Sequence, residues 1–172
     1  VRGWLTGKES APFRMCLRYE RPEGGSAARW NGSLSEWEWQ QGTSPAMQYG
    51  FSYDGLNRFT GAVQKQKSGN AWSALTGDYV EKGLTYDRNG NLQSLQRTAG
   101  GKVIDNLGYT YRGNLLTGLS ERVRTASADD VYAPGSSETG TYAYDLNGNL
   151  KKDSRRALLF DYNSLNLLSE VR

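Results

Sequence analysis

The stretch Leu84-Thr-Tyr-Asp-Arg-Asn-Gly-Asn-Leu92 constrains this chain more than any other. Thr85 and Tyr86 favour a pleated strand. Asp87 accepts hydrogen bonds from backbone N–H groups just ahead of it, forming an Asx-turn. Asn89 and Gly90 best tolerate the positive φ angles that mirror-image hairpin turns require. Asn91 pins the far side of the turn, and Leu92 re-enters a strand. The same instruction recurs as Tyr53-Asp54-Gly55-Leu-Asn57 and as Tyr144-Asp145-Leu-Asn147-Gly148-Asn149-Leu150. A shortened copy is Tyr111-Arg-Gly113-Asn114-Leu115, and Tyr162-Asn163-Ser-Leu-Asn166-Leu is a copy without the glycine. The anchor tyrosines Tyr53, Tyr86, Tyr111, Tyr144 and Tyr162 are 33, 25, 33 and 18 residues apart. An imperfect period of this length is the signature of a repeat architecture.

Between the turns the pattern is that of strands. Residues 47–53 alternate large apolar with small or polar side chains, a half-buried strand whose partner is 57–66. Residues 14–20 form another strand, and 21–26 a loop. Residues 30–39 read as two strands about Asn31-Gly32. Residues 67–72 form a surface turn and 99–102 another. Strands cover 72–86, 92–98, 103–111 and 115–123, with the last hairpins in 141–172. Residues 126–139 read as a loop excursion. No apolar period of 3.6 residues persists over about ten residues, so the expected fold is all-β, a curved strip of antiparallel hairpins. After several turns the apolar residues fall three apart: Leu34/Trp37, Phe59/Ala62, Leu92/Leu95 and Leu116/Leu119. A flat strand would put each pair on opposite faces, so bulges are expected. Each hairpin is expected to bury its Tyr and Leu against the next.

Composition removes most chemistries. The chain of 172 residues has no histidine and one cysteine, Cys16. That excludes Ser-His-Asp and Cys-His sites, a typical zinc site and an internal disulfide. Cys16, between Met15 and Leu17, reads as a buried thiol. The aspartates Asp54, Asp87 and Asp145 follow a tyrosine at a turn entrance, where they cap the turn. Asp129-Asp130 reads as a solvated acidic loop. Gly24-Gly25 and Gly100-Gly101 lack the helix and lysine of a phosphate loop and read as turns. Lys151, Lys152, Arg155 and Arg156, diluted by Asp153, read as a solvated strand end. A net charge of +3 is too near balance to predict a nucleic-acid partner. No apolar run reaches the roughly 20 residues of a spanning helix. No catalytic residue, metal site or cofactor is expected. Trp30, Trp37, Trp39 and Trp72 have two readings, as core of an aromatic ladder or as stacking platforms for sugar rings.

Tyr-Asp-x-Asn-Gly-Asn-Leu at 86–92 and 144–150, with Tyr-Asp-Gly-Leu-Asn-Arg at 53–58, resembles the YD-repeat, or RHS-repeat, family. The resemblance is clear over residues 51–172 and divergent over 1–50, so 1–172 reads as a single repeat region. It implies a β-sheet spiral that forms a hollow shell around a toxic C-terminal domain of the same polypeptide, in a cell-surface or secreted bacterial protein. The partners it implies are the remaining repeats and that C-terminal domain. The family's self-cleaving Asp-Pro segment is absent from these residues, so autoproteolysis is not expected of them. The alternative reading is a module that binds surface carbohydrate through its tryptophans.

Both termini fall within repeat-like units, so the chain reads as a fragment of a longer one. The expected consequence is edge-strand self-association, or a terminal segment folded back over the edge, near Leu165, Leu167 and Leu168.

Overall fold

A computed structural model describes residues 3–75, 77–123 and 139–172. The described residues are all-β, with no helix. The strands are β1 (Gly7–Ser10), β2 (Phe13–Arg18), β3 (Glu36–Gln41), β4 (Met47–Tyr53), β5 (Phe59–Ser68), β6 (Ala71–Ala74) and β7 (Val80–Tyr86). They continue with β8 (Leu92–Ala99), β9 (Lys102–Arg112), β10 (Leu115–Glu121), β11 (Thr139–Tyr144), β12 (Leu150–Asp153), β13 (Leu158–Tyr162) and β14 (Leu168–Val171). The expected loop over 126–139, with Asp129-Asp130, lies almost wholly outside the described residues.

Two compact units divide the chain: Val1–Gly83 with Thr98–Lys102, and Leu84–Arg97 with Val103–Arg172. In the first, β1 to β5 pair antiparallel in chain order, and β5 also pairs β6 and β7. In the second, β9 to β14 pair antiparallel, again in chain order. Many of these neighbours, β4–β5 and β13–β14 among them, are joined by short turns, the antiparallel meander that the repeated turn chemistry dictates.

Bulges are present at two of the four expected pairs, Phe59/Ala62 and Leu116/Leu119, on the strand that returns from the turn, whereas Leu34 lies in a loop, outside any strand. Tyr53 faces Phe59 while Ser52 faces Gly61, leaving Thr60 as the extra residue. Tyr111 faces Leu116 and Thr110 faces Gly118, leaving Thr117 extra. Lys151 and Ser169 take the same place after the next two turns. One extra residue puts positions three apart on one face. Phe59 and Ala62 therefore lie opposite Tyr53 and Phe51, and Leu116 and Leu119 opposite Tyr111 and Tyr109.

The buried positions differ from the expectation. The buried apolar residues are small or aliphatic: Ala46, Ala62, Ala99, Ile104, Leu107 and Leu119. The anchor tyrosines Tyr53, Tyr86, Tyr111, Tyr144 and Tyr162 are only half-buried. The largest fully buried side chains are polar, namely Gln48, Glu36, Asp105 and Ser35. In β3 the alternation Glu36-Trp37-Glu38-Trp39 is inverted relative to simple patterning: both glutamates are buried and both tryptophans half-buried.

Residues 30–39 supply the reason. They do not form a hairpin about Asn31-Gly32. Residues 19–35 are a long loop instead, and β3 pairs with β2 and β4. Asn31 does make an Asx-bond, accepting from the Ser33 N–H at 3.1 Å, but it only bends this loop. Gly32, at φ +92°, turns the chain beneath Trp4, whose ring lies 3.0 Å from where a Cβ would sit. The loop then lies over the glutamate side of the sheet, which is why that side is buried. Cys16, opposite Glu38 on that sheet, is half-buried rather than buried.

Candidate functional site

The repeated turn is built the same way four times. In each, a backbone N–H and C=O close a loop between an Asx residue and the residue four further on. Asp54 N–H donates to Arg58 O at 2.9 Å, Asp87 to Asn91 at 2.9 Å, Asp145 to Asn149 at 3.0 Å and Asn163 to Leu167 at 2.9 Å. The fourth residue of each turn donates back to the Asx carbonyl: Asn57 at 3.0 Å, Gly90 at 3.2 Å, Gly148 at 3.2 Å and Asn166 at 3.0 Å. That fourth residue alone takes a positive φ, 61° at Asn57, 87° at Gly90, 85° at Gly148 and 59° at Asn166. This is a three-residue hairpin loop, a type I turn followed by a left-handed residue, rather than a two-residue mirror-image turn. Asn89 and Asn147 therefore do not need the positive φ assigned to them. Gly55 does not sit at the left-handed position either; Asn57 does. The shortened copy differs: Arg112 faces Leu115 across Gly113-Asn114, and only Gly113 has a positive φ, 61°. That is the two-residue turn with glycine at its first centre.

The Asx side chain does most of the bonding. Asp87 Oδ1 accepts from the N–H of Asn89 and of Asn91, both at 2.8 Å. Asp54, Asp145 and Asn163 accept from the corresponding pairs, at 2.9–3.1 Å. The second carboxylate oxygen takes a side-chain donor from the residue four further on. Asp54 Oδ2 accepts from Arg58 Nε at 2.7 Å, Asp87 from Asn91 Nδ2 at 2.8 Å, and Asp145 from Asn149 Nδ2 at 2.9 Å. Where that residue is Leu167, with nothing to donate, the Asx residue is Asn163, an amide. The acid is thus present where its second oxygen has a donor.

Neighbouring turns are also joined in the second unit. Asn91 Nδ2 reaches Gly113 O at 3.1 Å and Asn114 Oδ1 at 3.2 Å. Asn147 Nδ2 and Asn149 Nδ2 both donate to Asn166 Oδ1 at 2.9 Å. The asparagines of the motif are thus inter-turn ties.

Two predictions arise from this geometry. Gly90→Val and Gly148→Val should each lose about 1–3 kcal/mol, because a β-branched residue is strained at positive φ. Gly90→Asn should lose much less, since Asn57 and Asn166 already occupy that position. Gly55→Val should be nearly silent, having neither a positive φ nor a neighbour within 4 Å of a new Cβ. Urea unfolding of the four variants checks the order.

The second concerns acid. The carboxyls of Asp87 and Asp145 are held below their ordinary value, chiefly by the side-chain donors Asn91 and Asn149, and that of Asp54 chiefly by the Arg58 N–H. A depressed folded-state value means that their stabilisation is complete above the unfolded carboxylate pKa. It is lost as pH falls through the lower folded value. The melting temperature should therefore hold down to about pH 4 and fall below it. In Asp87→Asn/Asp145→Asn that acid-side slope should be shallower, as read by calorimetry.

The four tryptophans are not brought together. Trp37 and Trp39 adjoin, with ring centroids 5.0 Å apart, and continue through Tyr49, Phe51 and Phe59 at 5.4–6.3 Å. They form an aromatic ladder along one side of the first unit. Trp72 belongs to β6, where the Lys67 ammonium lies 5.3 Å above its ring. Trp30 is in the loop and 64% exposed. The basic cluster also differs from a solvated strand end. Arg155 is buried, Lys151 pairs with Asp161 at 2.8 Å, and Arg156 lies 3.7 Å from Asp153. Gly100 and Gly101 form a two-residue turn, with φ of 55° and 72°.

What the sequence reading missed is the clamp on the 19–35 loop. Glu36 Oε2 accepts from the Glu23 N–H at 2.7 Å and from Gln48 Nε2 at 2.9 Å. Glu36 Oε1 accepts from the Gly24 N–H at 2.8 Å and the Ser26 N–H at 3.2 Å. Glycines leave room for polar side-chain atoms at this contact. A Cβ on Gly24 would lie 1.8 Å from Gln48 Oε1, and one on Gly50 2.6 Å from Ser26 Oγ. Arg18 bridges Glu23 at 3.0 Å and Glu38 at 2.7 Å, and Lys65 Nζ donates to Gly24 O. The available signal was Gly24-Gly25 upstream of an acid on a strand, read as a turn alone.

Beside the clamp is a cleft lined by Ser26, Arg29, Ser52, Tyr53 and Lys65, together with Gly25, Ala27, Gly50, Phe51 and Val63. The Arg29 guanidinium lies 4.4 Å above the Tyr53 ring, and Tyr53 Oη donates to Leu34 O at 2.9 Å. Burial raises the Tyr53 phenol above its ordinary value. No family model matches this chain, and no curated protein matches it.

Proposed function

We propose that the chain is a non-enzymatic structural segment of a YD-repeat protein. In this reading it is part of a β-shell that encloses or presents another domain of the same polypeptide, at the cell surface or in secretion. The observation that carries the reading is the fourfold recurrence of one turn. Its Asx residue, left-handed residue and closing pair coincide at Asp54, Asp87, Asp145 and Asn163, and its asparagines tie one turn to the next. A unit of this kind buries little by itself and gains stability from its neighbours. Electron microscopy of the longest natural polypeptide that carries these residues tests it. The reading expects them in a wall around the remaining domain; the same residues standing outside any wall would overturn it.

The end strands bear on assembly. All four residues of β1 and of β14 are exposed, as are Leu165, Leu167 and Leu168. Among the described residues no segment folds back over β14. In the shell reading further repeats pair with such edges, and the isolated chain self-associates through them. Sedimentation should show concentration-dependent oligomers.

One observation favours carbohydrate binding as a second reading, the exposed Trp30. Glycan binding that vanishes in Trp30→Ala or Trp37→Ala, with unchanged melting, would support it.

A further inference from the structure

The cleft between residues 25–29 of the loop and strands β4 and β5 has a volume of about 350 Å³, within the range of small-ligand sites. Its charge is one-sided. Arg29 and Lys65 line it, and no lining residue is acidic. Neither cation is in an ion pair among the described residues. Arg29 donates only a long 3.4 Å bond to Asn57 Oδ1, and its guanidinium rests on the Tyr53 ring. Lys65 donates to a neutral carbonyl, Gly24 O. The carboxylate beneath the same loop, Glu36, is engaged by four N–H donors. It fastens the loop rather than neutralising the two cations.

The remaining lining suits a small organic anion. Ser26 and Ser52 offer hydroxyls, while Ala27, Phe51 and Val63 offer apolar surface. At Gly50, which has no side chain, Ser26 Oγ and Lys65 Nζ lie 2.6 Å and 3.5 Å from where a Cβ would project, so both polar groups sit against the backbone floor of the cleft. A guanidinium held on an aromatic face is pre-organised, so little side-chain freedom is lost when it meets a planar carboxylate.

We propose that this cleft binds a small carboxylate of monosaccharide size, with Arg29 and Lys65 as its countercharges and Ser26 and Ser52 as hydroxyl partners. The loop clamped by Glu36 forms one wall, so the site exists only in the folded first unit. It shares Phe51 with the aromatic ladder and Tyr53 with the first repeated turn.

The test uses the 172-residue chain and sodium glucuronate as the probe, followed by amide NMR shifts and calorimetry. Saturable binding is expected, with shifts confined to residues 24–29, 50–53 and 63–65. Arg29→Gln should weaken it about tenfold, the loss of one charged contact. Lys65→Gln should do the same. Because Lys65→Gln also removes the bond to Gly24, Arg29→Gln is the deciding variant, and its melting temperature should match the parent. Lys152→Gln, at an exposed position, should bind as the parent does. Glucose should not bind, and sulfate should compete only weakly. Absence of saturable shifts, equal binding of glucose, undiminished binding by Arg29→Gln, or sulfate binding as tightly as glucuronate would each overturn the proposal.

Discussion

Glu36→Ala should destabilise the first unit by about 3–5 kcal/mol, the summed cost of several orphaned buried donors less what relaxation recovers. The residue is fully buried, and its carboxylate holds the N–H groups of Glu23, Gly24 and Ser26 as well as Gln48 Nε2. Alanine leaves all four donors facing a cavity. A buried donor without a partner costs about 1–3 kcal/mol, and part of that is recovered when the loop lifts and water enters. Glu36→Gln should lose less than alanine. The amide oxygen still accepts, but the new NH2 group opposes whichever donors it meets. Urea unfolding gives the magnitudes, and proteolysis within residues 19–35 should accelerate in the same order. Equal stability of all three proteins would show that the loop is not held by this carboxylate. Gly24→Ala attacks the clamp from the other side and should expose the loop likewise.

In the second unit, Arg97→Met should lose about 3–5 kcal/mol. Asp105 is fully buried, and Arg97 Nε donates to its Oδ2 at 2.6 Å. Methionine keeps much of the side-chain volume but removes the guanidinium, leaving Asp105 to charge in a buried site without that partner. The double variant Arg97→Met/Asp105→Leu should be more stable than Arg97→Met alone, because replacing both members by apolar groups removes the desolvated charge. A double variant at least as unstable as the sum of the two single changes would contradict this account of the pair.

The turns were legible because their chemistry is local. An Asx side chain bonds within four residues of itself, so Tyr86-Asp87 and Tyr144-Asp145 carry their own instructions. The bulges at Phe59/Ala62 and Leu116/Leu119 were legible for a related reason, since apolar residues three apart in a strand cannot share a face without one. The same spacing at Leu34/Trp37 misled because Leu34 is in a loop. The left-handed position was harder to place. Asn-Gly pairs suggested two positive φ angles, whereas the loop needs one, and Asn57 and Asn166 supply it where glycine is missing. The inverted burial of Glu36 and Trp37 was not legible at all. Alternation names two faces, but which one is covered depends on a loop folding over from residues 19–35. Arg155 was misread in the same way, as a solvated cation, because the contacts that bury it come from elsewhere in the chain.

One Asx-centred turn, written four times, sets where the antiparallel strands reverse. Residue-resolved amide hydrogen exchange on the native chain measures it most directly. The N–H groups two and four residues after each Asx are bonded to its side chain: Leu56 and Arg58, Asn89 and Asn91, Asn147 and Asn149, Leu165 and Leu167. These amides should exchange slowly, in the same pattern in all four turns. Within each turn the neighbouring amides of Gly55, Arg88, Leu146 and Ser164 should exchange fast. Uniformly fast exchange across the four turns, or a different pattern in each, would contradict the claim.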